Sequence, residues 1–182
     1  MAAESIIRFT EVDDIHMKKI CDPILNLGEF DDNKVEKASV SLVGFEKTDI
    51  LERANWLCKN IIIEPEALVN KAPAMIGREY QGEWAIYCCS MLTHALANIC
   101  YLYPDKKDEC PELIAKMIEI VNTPTIREYD TMQWKEDAME TLDGPKSHMT
   151  YLSILAWMIS NYKMAGGDDR YDGLFHKLCD TL

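Results

Sequence analysis

The strongest constraint on this chain is a pair of long uncharged stretches in an acidic sequence. Trp84 to Pro104 and Met149 to Tyr162 contain no Asp, Glu, Lys or Arg, although the 182 residues carry 31 acids, 19 bases and a formal charge of −12. Both read as long apolar helices, the first closed by Pro104 and the second by Gly166-Gly167. Each is followed by a turn and an amphipathic helix. YPDKKDE leads to a helix from Pro111 with Leu113, Ile114, Met117, Ile118 and Val121 at helical spacing. AGGDDRY leads to one carrying Leu174, Phe175, Leu178 and Leu182. Laid over each other, Tyr101 falls on Tyr162, Leu113 on Leu174 and Met117 on Leu178, so the chain repeats a helical hairpin. A helix that is hydrophobic all round is buried, which places one helix of each hairpin inside a second layer formed by its partner.

The expected class is therefore all-α, with repeated antiparallel hairpins in two layers. Residues 46–182 form the helical-hairpin domain. Asp49 and Glu52 make a capping-box-like start, followed by a stripe of Ile50, Leu51, Ala54, Leu57, Cys58 and Ile61. Pro65 opens a short helix, and Pro73 and Gly77 mark the loop after it. Residues 83–103 make the first long helix. Residues 123–147, with Pro124, Gly144 and Pro145, read as a long connection. The N-terminal segment, 1–45, is of uncertain structure: Glu11 to Cys21 fits a helix stopped near Pro23, and Ala38 to Phe45 mixes strand and helix signals.

Composition removes several classes of function. Forty-eight per cent hydrophobic and 27 per cent charged residues describe a globular chain. The acidic balance opposes binding to nucleic acid or to anionic membranes. Trp84 to Pro104 is long enough to span a bilayer, but Ser90, Thr93, His94 and Asn98 interrupt it too often for lipid exposure. The seven cysteines form no CxxC pair, and Cys88-Cys89 fit small buried hydrophobes. Reduced thiols and a start, MAAESIIRFTEVDD, without signal-peptide character give a cytoplasmic expectation. No Gly-rich phosphate loop or metal-ligand spacing is present, and no cofactor or metal is expected.

The long helices also carry polar and aromatic side chains on one stripe. Glu83, Tyr87, Ser90, His94 and Tyr101 share a face of the first; Thr150, Ser153, Trp157 and Ser160 share one of the second. Such stripes face a second buried surface or a lumen. Polar knots stand where both helices begin: GREYQGEW, and Asp143, Lys146, Ser147 and His148. Together with GGDDRYDGLFHKL, this hairpin pattern resembles the (α/α) toroids of the six-hairpin glycosidase-like proteins over residues 46–182, about half a ring. The resemblance implies a missing second half, a ring closed by another chain as a homo-oligomer, or an open array.

It also implies a cleft at the N-terminal ends of the inner helices, holding a carbohydrate or other small molecule. Glu83, Asp143 and His148 would be its acid–base groups; Arg78, Tyr80, Trp84, Asp130, Trp134 and Tyr151 would bind the ligand. Sugar chemistry needs carboxylates for proton transfer and aromatic faces for stacking. Each residue has a plainer reading. Glu83 favours a helix N-terminus, Asp143-Gly144 suits a turn, and Ser147 as N-cap makes His148 the first helical residue. His94 fits a hydrogen-bonded core histidine, and Trp84 and Trp157 fit packing. The alternative to a glycosidase-, lyase- or epimerase-like enzyme is a non-catalytic helical module for protein interaction or assembly.

Overall fold

Every regular element among the described residues is a helix. The computed structural model describes residues 46–70 and 77–182, without the side chains of Arg78 and Glu79. The order is α1 (Lys47–Ile63), α2 (Ala67–Asn70), α3 (Arg78–Leu102), a 3-10 turn (Pro104–Lys106), α4 (Cys110–Val121), α5 (Pro124–Trp134), α6 (Met149–Met164) and α7 (Asp172–Thr181). The expectations for residues 1–45 and for the loop at Pro73 fall outside those residues.

α3 is the axis. Helices α1, α2, α4, α5 and α6 all pack on it, and α6 packs in turn on α4 and α7. Its core face combines Ile86, Leu92, Leu96 and Ile99 with the small residues Ala85 and Cys89, all buried. Small side chains let neighbouring helices approach, and branched ones fill the space between them. α4 shows the expected two-faced pattern, with Ile114, Met117, Ile118 and Val121 buried and Glu112, Lys116 and Glu119 exposed. Among the described residues, α3 alone has the length and composition of a membrane span, and 56 per cent of that window is buried inside the fold.

Two expectations are corrected. Residues 123–147 are not one connection, because α5 occupies Pro124–Trp134. Pro124 lies in its first turn, where the missing N–H is not needed, and Ile126, Tyr129 and Asp130 are buried at steps of three and one. The long helices are also not enclosed all round. Tyr87, Met91 and Tyr101 on α3 and Trp157 on α6 are exposed. Apart from Ser90, which is buried, the stripes run on an open face, and they meet where the His94 ring lies 5.4 Å from that of Trp157. His94 is accordingly exposed, with Nδ1 3.4 Å from Asn161 Oδ1.

The AGGDDRY turn is a closely bonded corner. Gly166 has φ +92°, Gly167 N–H donates to Tyr162 O at 2.9 Å and Gly166 N–H to Lys163 O at 3.1 Å. This is a Schellman motif ending α6. A Cβ on Gly167 would stand 2.3 Å from the Tyr162 ring. The Tyr162 hydroxyl donates to Asp168 Oδ1 at 3.0 Å, and Arg170 binds both Asp168 and Glu112 of α4. Arg170 holds the Asp168 carboxyl well below the usual carboxylate range. Through Arg170 the turn before α7 is thus fastened to α4.

Candidate functional site

The chain places the named residues in two neighbourhoods. The first is formed by α5, the following loop and the start of α6. α5 ends at Lys135 in a left-handed conformation (φ 64°), which turns the chain back over its own last turn. His148 is left-handed as well (φ 42°) and is itself the residue before α6. Ser147 is therefore not the N-cap expected for that helix; its Oγ accepts from Met149 N–H at 3.2 Å. The strained backbone at His148 comes with full burial of its ring, 1 per cent exposed.

Both ring nitrogens of His148 face carboxylates. Nδ1 is 2.6 Å from Asp130 Oδ2, and Nε2 is 3.4 Å from Glu136 Oε1. Asp130 is 2 per cent exposed. Burial pushes its carboxyl above the usual range, against the opposing pull of His148. Burial would also raise Glu136, but hydrogen bonds with Lys146 and His148 outweigh it and keep that carboxyl low. Lys146 Nζ lies 3.2 Å from Glu136 Oε2 and also donates to Trp134 O. The Trp134 ring covers His148 at 5.5 Å between centroids. The Tyr151 hydroxyl donates to Asn122 Oδ1 at 3.0 Å, which ties α6 to the end of α4. Asp130, Trp134 and His148 are thus together, and Glu136 and Lys146 complete the group.

The second neighbourhood is the exposed start of α3. Glu83 is not in the first turn, because the helix begins at Arg78, so a macrodipole role does not account for it. Trp84 is 56 per cent exposed rather than packed, and Tyr80 is exposed too. Glu83, Trp84 and Tyr87 line a shallow concavity of about 400 Å³. Asp143 stands apart, exposed in the loop. Arg78 belongs to α3, and its side chain is not described.

Tyr129 connects the two. Its Cβ and ring sit where a Cβ on Gly82 would be, 2.7 Å away, so glycine at 82 permits α5 to press on α3. Its hydroxyl is buried and, among the described residues, has no hydrogen-bond partner. Burial first, then the charges of Asp130 and Glu83, raise its pKa.

A further concavity was not foreseen. About 570 Å³ in volume, it lies between α1, α2 and α3. Ile61, Leu68 and Leu92 lie along it beside Trp56, Cys88 and Met91. Trp56 and Leu57 also border a polar extension with Asp49, Glu52 and Arg53. Cys88 and Met91 are shared with the concavity at Glu83. The concavity between the helices thus shares Trp56 and Leu57 with one on α1 and Cys88 and Met91 with one on α3, and none of the three is lined by Asp130, Asp143 or His148. Leu57, expected within the core stripe of α1, is exposed here. The signal for this groove was the spacing of Tyr80, Trp84, Tyr87 and Met91, which is one helical face without a basic residue. No family model, curated protein or solved structure matches the chain.

Proposed function

We propose that this protein is a non-catalytic helical interaction module whose binding surface is the open face of α3 with the flanking edges of α1 and α6. One observation carries this reading. Three of the four tryptophans, Trp56, Trp84 and Trp157, are 65, 56 and 41 per cent exposed on that face. Aromatic side chains left in water on an acidic protein are costly, and buried aromatic anchors supply much of the energy of protein interfaces. The face is also uncharged from Trp84 to Leu102 on α3 and from Met149 to Tyr162 on α6. Depletion of charge is what the centre of an interface requires.

The test is to capture partners from cells expressing the wild-type chain and, in parallel, a Met91→Glu chain. Met91 is exposed, so the substitution is expected to leave the fold intact, checked by unchanged thermal melting. Partners retained by the wild type and lost by the variant are expected. Identical partner sets would contradict the reading.

A carbohydrate-active reading has its own support. Glu83 lies in a concavity with Trp84 and Tyr87, an acid beside stacking faces. In this reading the hairpins belong to a partial toroid completed by a second half or a second chain. Oligosaccharide and uronate turnover, lost in Glu83→Gln with the fold unchanged, would favour it. A complete panel without turnover would remove it.

A further inference from the structure

We infer that the groove between α1 and α3 receives the apolar face of an amphipathic helix flanked by Lys or Arg. The inference rests on the interaction reading above and adds the chemistry of the partner. The groove has an apolar middle and acidic surroundings. Its middle is lined by Trp56, Ile61, Met91 and Leu92. Among the described residues, its charged lining residue is Glu64; the adjoining concavities add Asp49, Glu52 and Arg53 on α1 and Glu83 on α3. Arg53 Nε donates to the Asp49 carboxylate at 3.0 Å, so those two offset each other and Glu52, Glu64 and Glu83 leave the described lining acidic.

An apolar concavity between two helices, with neighbours on each, suits a third helix, which would offer side chains at i, i+3, i+4 and i+7. Met91, flexible and polarisable, adapts to such anchors, and Trp56 supplies a broad rigid wall. The acids then select the flanks of the partner. A ligand with Glu or Asp at its ends would meet like charge, whereas Lys or Arg would be drawn in from a distance. The acidic balance of the whole chain works in the same direction.

The probe is a synthetic amphipathic peptide of about 16 residues, some four turns, with Leu on one face and Lys at both ends. Its control has Glu in place of every Lys. Both are titrated into the full chain and followed by calorimetry and tryptophan fluorescence. The Lys peptide is expected to bind at least about tenfold more tightly than the Glu peptide, and to weaken as salt rises. Met91→Glu is expected to reduce its affinity by about tenfold or more. This variant makes the chain more acidic, so unspecific attraction would rise rather than fall. Trp56→Ala, with unchanged melting, is expected to weaken binding as well.

Other outcomes overturn the inference in distinguishable ways. Equal affinity for both peptides, abolished by Met91→Glu, removes the basic flanks but leaves the interaction module. Lys-peptide binding undiminished by Met91→Glu means attraction to the acidic surface at large, and the groove is not its seat. No peptide bound, with a dimer by light scattering that Met91→Glu dissociates, makes a second copy the occupant. A monomer that binds neither peptide removes the inference, leaving the interaction module to its own capture test.

Discussion

His148 combines several conflicting local preferences. It has a left-handed backbone, a buried ring and two carboxylate neighbours. The ring compensates through its Nδ1, which lies 2.6 Å from Oδ2 of the buried Asp130. His148→Ala would leave the Asp130 carboxyl enclosed without that partner, and should destabilise the protein by about 1–3 kcal/mol, read from denaturant unfolding. A loss below 1 kcal/mol would mean that water already reaches Asp130. Tyr129 is the reverse case. Its hydroxyl is buried without a partner, so Tyr129→Phe should be neutral or stabilising by up to about 1 kcal/mol. Asp168 has a carboxyl held low by Arg170 in the fold. A depressed folded pKa gives stability that is present above the unfolded value, about 3.9, and is lost as pH falls below it. Asp168→Asn should therefore flatten the fall in stability below about pH 4 relative to wild type. Parallel acid limbs for the two chains would contradict the assigned contact.

At the scale of elements, Gly82 sets the distance between α3 and α5, and Gly167 the close return of the turn onto the end of α6. Gly82→Ala would drive a methyl group into Tyr129 of α5, and Gly167→Ala would drive one into the Tyr162 ring. Each should cost about 1–3 kcal/mol in thermal or denaturant unfolding, although alanine is the better helix former at 82. Unchanged melting at both positions would show that the packing between these elements is looser than the distances imply. The same elements show what the sequence made legible. α3, α4, α6 and α7 follow from apolar runs and helical spacing, which tertiary packing reinforces. α5 escaped because one of its core positions is Asp130, an acid that belongs inside only when His148 closes over it. The left-handed turn at His148 is set by that pair and has no glycine to announce it. Asp130, Trp134 and His148 were expected in one cleft with Glu83, Trp84 and Asp143; the structure brings those three together, with Glu83 and Trp84 at a separate concavity and Asp143 exposed in the loop. Glu136, exposed in part and in a loop, had no pattern to mark it. The open face was read as an inner lining because hydrophobic periodicity gives the side of a helix that is apolar, not what covers it.

At the scale of the whole molecule, an acidic shell surrounds an uncharged aromatic face. Substitutions on that face should separate stability from binding. Met91→Glu lies at an exposed position and should change stability by no more than about 0.5 kcal/mol, while it disrupts association. The most direct measurement compares thiol labelling inside cells and in the dilute purified chain. Cys88 lies on this face and is exposed, and Cys179 on α7 is an exposed reference. The account predicts that Cys88 reacts in the purified chain and is protected in cells, while Cys179 reacts in both. Cys88 labelled equally in both settings, relative to Cys179, would contradict a covered face and with it the proposed function.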